Sequence, residues 1–287
     1  MIPTYSFRSM QKAIRQQPLY THCSAYLWQS SLSIRNQFCE AVTGAGYLTW
    51  EQMLNAACRY CVGATKHGGV IFWQIDHEGR VHDGKVMYYL PDCHRNKSKA
   101  AHPTWVSALL TRREKAGHRQ NTTSHCFFGQ HLLGHTANTA LTEKYCTWRN
   151  HKLQTSNVKF QTSNVKLQSN RPAVCVVEAE KTAFILSELY PNHIWLAAGG
   201  LGEVQPDKFR ALRDHRVILF PDTDADGITF QRWTEAARLV MQAPFWEDSP
   251  PIRVSSILEA HASPEQKQRK IDLVDYLFEN NAVKLRE

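Results

Sequence analysis

The spacing of apolar positions changes along the chain and marks out its elements. Up to about residue 60, aromatic, polar and small residues mix without strand-like alternation, and residues 24–33 and 50–60 fit amphipathic helices. The second carries a start signal, with Thr49 as cap and Gln52 three residues on. The period then shortens. Residues 68–76 read as a strand, His77-Glu78-Gly79 as a turn, and residues 80–89 as the returning strand of a hairpin. Residues 111–124 are polar and basic, and residues 126–133 form a short apolar island.

From Arg171 onward short apolar runs alternate with helical spacing. Val174-Cys175-Val176-Val177 reads as a buried strand, followed by a helix over 181–189 that Pro191 ends. Residues 193–198 predict a second strand, closed by Gly199-Gly200-Leu201-Gly202. A helix over 206–212, a strand at Val217-Ile218-Leu219-Phe220, a helix over 228–241 and a short strand at 252–255 follow. Residues 272–277 open or sit on the last helix. Strands alternating with helices predict a parallel sheet with right-handed crossovers.

A tandem copy separates the two patterns: Gln154-Thr155-Ser156-Asn157-Val158-Lys159-Phe160, then Gln161-Thr162-Ser163-Asn164-Val165-Lys166-Leu167. Two copies are too few for a solenoid, and Thr, Ser, Asn and Val suit a helix poorly. The expected layout is therefore a helical lead-in over 1–62, a mixed α+β basic domain over 63–150, a repeat-containing linker over 151–170 and an α/β domain over 171–287. The fold class expected is α/β: a C-terminal Rossmann-type parallel sheet preceded by a mixed α+β domain.

Composition adds two constraints. Hydrophobic residues make up 43% of 287 residues, enough to build a core and to argue against wholesale disorder. The net charge of +8 favours an anionic partner. Arg80, Lys85, Lys97 and Lys99 lie near Trp73, Tyr88 and Tyr89, an interleaving of cations and aromatics that suits a nucleic-acid track, though it equally describes the solvated face of a hairpin. There is no secretory h-region and no run of transmembrane length, so a cytoplasmic setting without membrane contact is expected. Eight scattered cysteines fit a reduced set. Cys58 and Cys61 have metal-type spacing but lack a second such pair, and structural zinc is not expected.

Both central strands end in acid. Glu178 follows the first, and Pro221-Asp222-Thr223-Asp224-Ala225-Asp226-Gly227 follows the other. In open α/β sheets ligands bind beyond the carboxyl ends of the strands, so Glu178, Asp222 and Asp224 would meet in one crevice. Packed carboxylates need a cation or a proton, and oxygen ligands suit Mg²⁺ or Mn²⁺. An EF-hand fails because its twelfth position is Trp233. A response-regulator-like phosphoacceptor is a further reading. Taken alone, the segment is equally a strand-to-helix turn with an Asp cap.

Glu178-Ala179-Glu180-Lys181-Thr182-Ala183, followed some forty residues later by Asp-x-Asp, resembles the Toprim module shared by bacterial replicative primases, topoisomerases, OLD-type nucleases and recombination mediators. The likeness runs from about Arg171 to the C-terminus, and is nearest to primases of phages and plasmids. Val70 to Asp76, Gly84-Lys85-Val86-Met87 and Phe127-Phe128-Gly129 extend it to uncharacterised Toprim-like proteins of bacterial mobile elements. Ala179 stands where the family usually has Gly, Thr182 where primases often have Asp, and Asp226 where a basic residue is frequent.

The resemblance implies a primase-core-like N-terminal domain before the Toprim sheet. It implies a magnesium-dependent nucleotidyl transfer that makes primers on a DNA template, in which Glu178, Asp222 and Asp224 are catalytic and bind metal. Asp226, Asp272 and Asp275 are candidate auxiliary metal ligands. Arg80, Lys85, Lys97, Lys99 and Lys181 would contact nucleic acid. The partners implied are single-stranded DNA and nucleoside triphosphates, with a helicase or a zinc-module protein in addition. A Toprim nuclease and a non-catalytic DNA-binding recombination or mobilisation accessory are the alternatives.

Overall fold

The computed structural model describes residues 25–113, 125–134 and 172–280. The expected repeat-containing linker at 151–170, most of the basic stretch at 111–124 and the first part of the helical lead-in lie outside them. Helices α1 (Ala25–Ser31), α2 (Gln37–Gly44) and α3 (Trp50–Tyr60) come first. The start of α3 is the capping box that its sequence announces: Gln52 N–H donates to Thr49 Oγ1, and Thr49 N–H donates to Gln52 Oε1.

The first sheet is antiparallel, in the order β1 (Gly63–Ala64), β2 (Val70–Ile75), β3 (Val81–Met87), β4 (Thr104–Trp105), and leads into α4 (Val106–Arg113). Asp76 closes the β2–β3 hairpin. Its Oδ1 accepts the backbone N–H groups of Glu78 and Arg80, the local bonding that favours Asp in turns. Burial pushes the Asp76 carboxyl up, but His82, Arg80 and the turn amides more than reverse this and hold it well below the usual carboxylate range.

The second sheet is parallel, built from β5 (Val174–Val177), β6 (Ile194–Ala197), β7 (Val217–Phe220) and β8 (Arg253–Val254) in the order β6-β5-β7-β8. Helix α5 (Glu180–Leu189) connects β5 to β6, and α6 (Ile228–Gln242) connects β7 to β8. Helices α7 (Ile257–His261), α8 (Pro264–Arg269) and α9 (Leu273–Glu279) complete the order. Residues 206–212 form a 3-10 helix rather than an α-helix. The architecture is thus α/β, with a parallel sheet following a mixed antiparallel part.

One apolar cluster joins the two sheets. Phe38, Tyr60, Phe72 and Phe128 from the first part are buried with Phe184 and Trp195 from the second. Phe38 meets Phe184 edge-on at 5.0 Å between ring centroids, and Tyr60 stacks on Phe128 at 4.8 Å. The Tyr60 hydroxyl donates to the Trp195 carbonyl at 2.7 Å, so its buried polar end is satisfied. Arg59 reaches Glu188 at 2.6 Å beside it.

The apolar island of the sequence has a specific place. Phe128 makes an antiparallel bridge with Ala197, with hydrogen bonds in both directions, and so covers the outer edge of β6. Gly129 then turns away at φ +84°, and a Cβ there would lie 2.8 Å from the Tyr60 ring and 3.1 Å from the Trp195 carbonyl oxygen. Gly129→Ala is expected to cost about 2–4 kcal/mol, from left-handed strain and overpacking together. Urea denaturation measures it, and an unchanged midpoint would refute both the strain and the overpacking.

Candidate functional site

The chain leaves β5 toward β6 on one side and returns through β7 on the other, which makes the β5–β7 junction the topological switch point where such sheets bind ligands. Val177 and Phe220 are paired across it, so the residues that follow, Glu178 and Asp222, emerge at the same edge. Burial raises the Asp222 carboxyl well above its ordinary range, and the charge of Glu178, then that of Asp272, raises it further. Glu178 is raised too, by burial first, against the opposing pull of Lys85 and the Leu201 N–H. Among the described residues neither carboxylate has an ion-pair partner within 4 Å.

Asp224 is placed differently. Its Oδ1 accepts from the N–H groups of Asp226 and Ile228 at 3.1 and 3.0 Å, and its Oδ2 from Thr229 at 2.7 Å. The Ile228 and Thr229 amides are unpaired donors of the first turn of α6 and the Asp226 amide lies in the turn before it, so Asp224 caps the helix from that turn. Burial opposes its charge, but the Thr229 hydrogen bonds and the other amides outweigh it and bring the pKa to about 2. Asp226 is exposed on the same turn.

Asp272 and Asp275 lie at the start of α9 and cap each other's backbone. Lys181 joins them from the first turn of α5, with Nζ 3.2 Å from Asp272 Oδ2 and 3.1 Å from Asp275 Oδ1. Thr182 Oγ1 donates to Asp272 Oδ2 at 2.6 Å. Burial works against the Lys181 charge, but Asp272 and Asp275 hold its pKa well above normal. The ammonium is therefore buried and engaged, not turned out toward a nucleic acid.

The remaining cations divide by environment. Lys85, on β3, crosses to the second sheet. Its Nζ lies 3.1 Å from both Glu180 carboxylate oxygens and donates to the Gly199 carbonyl at 2.7 Å. Arg80 pairs with Asp76 at 2.7 Å and Glu78 at 2.6 Å. Lys97 and Lys99 are exposed. Cys58 and Cys61 are buried in the apolar cluster of the first sheet.

Among the described residues no three His, Cys, Asp or Glu side chains are grouped so as to hold a metal ion. The Glu178–Asp222 pair still fits Mg²⁺, which takes one or two carboxylates and completes its shell with water and substrate phosphates. Two half-buried carboxylates, both raised above the ordinary range and one of them by the charge of the other, are the donor set that a divalent ion relieves.

A family model described as Domain of unknown function (DUF6371) matches residues 36–147 and 138–223, which hold both sheets as far as β7. The chain belongs to this family. No curated protein matches it. Two solved structures align over most of the DUF6371 chain. One is the primase fragment of the bacteriophage T7 primase-helicase protein, at 14% identity over 89% of this chain and 84% of that one, with a TM-score of 0.41. The other holds bacteriophage T7 lagging-strand DNA polymerase interacting with primase domains of two gp4 subunits bound to an RNA/DNA hybrid and dTTP, at 13% identity over 93% and 94%, with a TM-score of 0.43. Both likenesses are remote.

Several participants in this DUF6371 site have no sequence motif of their own. The Gly199 carbonyl and the Leu201 N–H act through backbone, and Tyr47 approaches Lys181 from a helix–helix loop at 5.8 Å from its ring centroid. Thr182 does carry a signal, standing four residues after Glu178 in the 178–183 motif.

The two aspartates of the turn should respond oppositely. In EDTA at pH 7, Asp222→Asn is expected to raise the unfolding midpoint, because it removes a carboxyl whose charged form burial and the Glu178 charge both disfavour. Asp224→Ala should lower stability by about 1–2 kcal/mol, the worth of a helix cap. The pH dependence separates them as well. With a raised native pKa, Glu178 and Asp222 take up protons on folding, so their contribution to stability grows as pH falls through that pKa toward about 4. Asp224, held at about 2, stabilises above the ordinary carboxylate range and loses that contribution as pH falls toward 2. Thermal melts of the three proteins across pH measure both signs.

Proposed function

We propose that the chain is a Mg²⁺-dependent phosphoryl-transfer enzyme that acts on nucleic acid, of the primer-synthesising, primase-like kind. The observation that carries this reading is the pair Glu178 and Asp222 at the switch point of a parallel sheet, where both carboxyls are raised, Asp222 by burial and then by the charge of Glu178, without an ion-pair partner among the described residues. The resemblance of residues 178–183 and 222–224 to Toprim modules supports it, as does a net charge of +8 around an acidic centre.

When bound, a Mg²⁺ ion would neutralise charge on the reacting phosphate oxygens. The protein's part is to present and fix its ligands. Glu178 and Asp222 would hold the ion through their carboxylate oxygens. Asp224 holds the turn from Pro221 to Gly227 against the start of α6, and so positions Asp222. Lys85 holds the Gly199 carbonyl at the end of β6, while the Leu201 N–H, two residues on, steadies Glu178. Gly199 has φ +97°, and a Cβ there would stand 3.4 Å from Glu180 Oε1, so the turn stays narrow beside the Lys85–Glu180 pair. Lys97 and Lys99 are among the exposed cations of the first half that could meet template or nucleotide phosphates.

The test is one incubation of the full chain with single-stranded DNA, Mg²⁺ and labelled ribonucleotides. Extended products are expected, abolished by EDTA and reduced at least about 100-fold by Asp222→Asn, the scale for losing a group that organises the reacting charge. Shortened DNA would replace synthesis by hydrolysis at the same pair. A mobility shift alone, or full activity in Asp222→Asn, would overturn the enzyme reading.

A further inference from the structure

The acidic crevice contains its own cation. Lys181 is 8% exposed, and its ammonium lies at ion-pair distance from both Asp272 and Asp275, with the Tyr47 ring alongside. Asp272 has no oxygen left over. Oδ1 accepts the Asp275 N–H at 2.9 Å, and Oδ2 takes both the Thr182 hydroxyl and the Lys181 ammonium. Asp275 shares Lys181 through Oδ1, while its Oδ2 faces the Asp272 N–H at 3.4 Å. A divalent ion that used these two aspartates would have to displace a buried ammonium and a hydroxyl, and leave the ammonium without partners in a dry site.

The same ammonium acts on the neighbouring pair. It lies close enough to favour the charged form of Asp222, whereas Asp272 and Asp275 disfavour it. The crevice therefore has two halves. In one half, Asp272 and Asp275 are paired with an ammonium from within the chain. In the other, Glu178 and Asp222 have no ion pair among the described residues.

We propose that Lys181 is a built-in cation that fills the auxiliary half of the acidic cluster, so that the chain binds a single divalent ion at Glu178 and Asp222 and none at Asp272 and Asp275. The proposal rests on the metal-binding reading of Glu178 and Asp222 and sets its stoichiometry. Where a two-metal site clamps the reacting phosphate with two exchangeable ions, this chain would keep one of the two positive charges permanently in place.

Mn²⁺ alone, counted by electron paramagnetic resonance on the full chain, tests it without any turnover. Wild type should bind one ion per chain, and Asp222→Asn should lose it. Lys181→Met should bind two, because the freed aspartates then need a cation, and its thermal midpoint should rise with Mn²⁺ more steeply than that of wild type. Two ions in wild type would overturn the proposal and leave the function reading standing. A folded Lys181→Met that binds one ion would also overturn it. Should Lys181→Met fail to fold, Asp275→Asn decides. It keeps the Lys181–Asp272 pair and is expected to bind one Mn²⁺ within twofold of wild-type affinity, whereas a tenfold loss would make Asp275 a ligand and sink the proposal. No ion in wild type would remove the underlying metal reading, and this inference with it.

Discussion

Strand β5 is paired in parallel on both flanks, to β6 and to β7, and the chain must leave it in one direction and come back in the other. That constraint opens a crevice at the carboxyl end of the strand and sends two acid-bearing turns into it. The strand itself is wholly apolar and buried, so it cannot move to relieve the charges at its end. The surrounding structure is arranged about this fixed concentration of negative charge.

Five carboxylates crowd the region: Glu178, Glu180, Asp222, Asp272 and Asp275. Two lysines answer three of them. Lys85 arrives from the antiparallel sheet to hold Glu180, and Lys181 holds Asp272 and Asp275. Both lysines are largely buried, so the pairs are screened little by salt and are costly to break from one side. The first half of the chain is thus tied to the second by an ion pair as well as by the shared aromatic core of Phe38, Tyr60, Phe128 and Phe184. What stays without an ion pair among the described residues is Glu178 and Asp222, and that selectivity is the strongest physical reason to regard them as a site for an external cation.

Local signals were legible in the sequence, and long-range ones were not. Thr49 and Gln52 foretold the start of α3, and the hairpin from Val70 to Met87 and the four parallel strands appear where apolar runs and turn residues placed them. The Asp-x-Asp turn shows the limit. An aspartate two residues past a strand reads equally as ligand or cap, and only the direction of three backbone amides shows that Asp224 caps while Asp222 does not. Lys181 carries no sequence sign of its pairing, because its partners, Asp272 and Asp275, are some ninety residues away. Lys85 likewise belongs to a basic, aromatic hairpin by sequence, yet it turns inward to Glu180. Residues 206–212 have helical spacing but form a 3-10 helix, which keeps Phe209 and Leu212 in the core over a short span.

The bridge between Phe128 and Ala197 bears on how the chain comes to be folded at all. Phe38, Tyr60 and Phe128 leave the ribosome well before Phe184 and Trp195, the groups that complete their core. Until β6 is synthesised, the aromatic rings of the first half can pack only on one another, and the edge that Phe128 will cover does not yet exist. The described parts of the two halves share one core, which the second half completes. A fragment ending before β6 would expose a row of large aromatic rings, which makes it a client for chaperones rather than a smaller working protein.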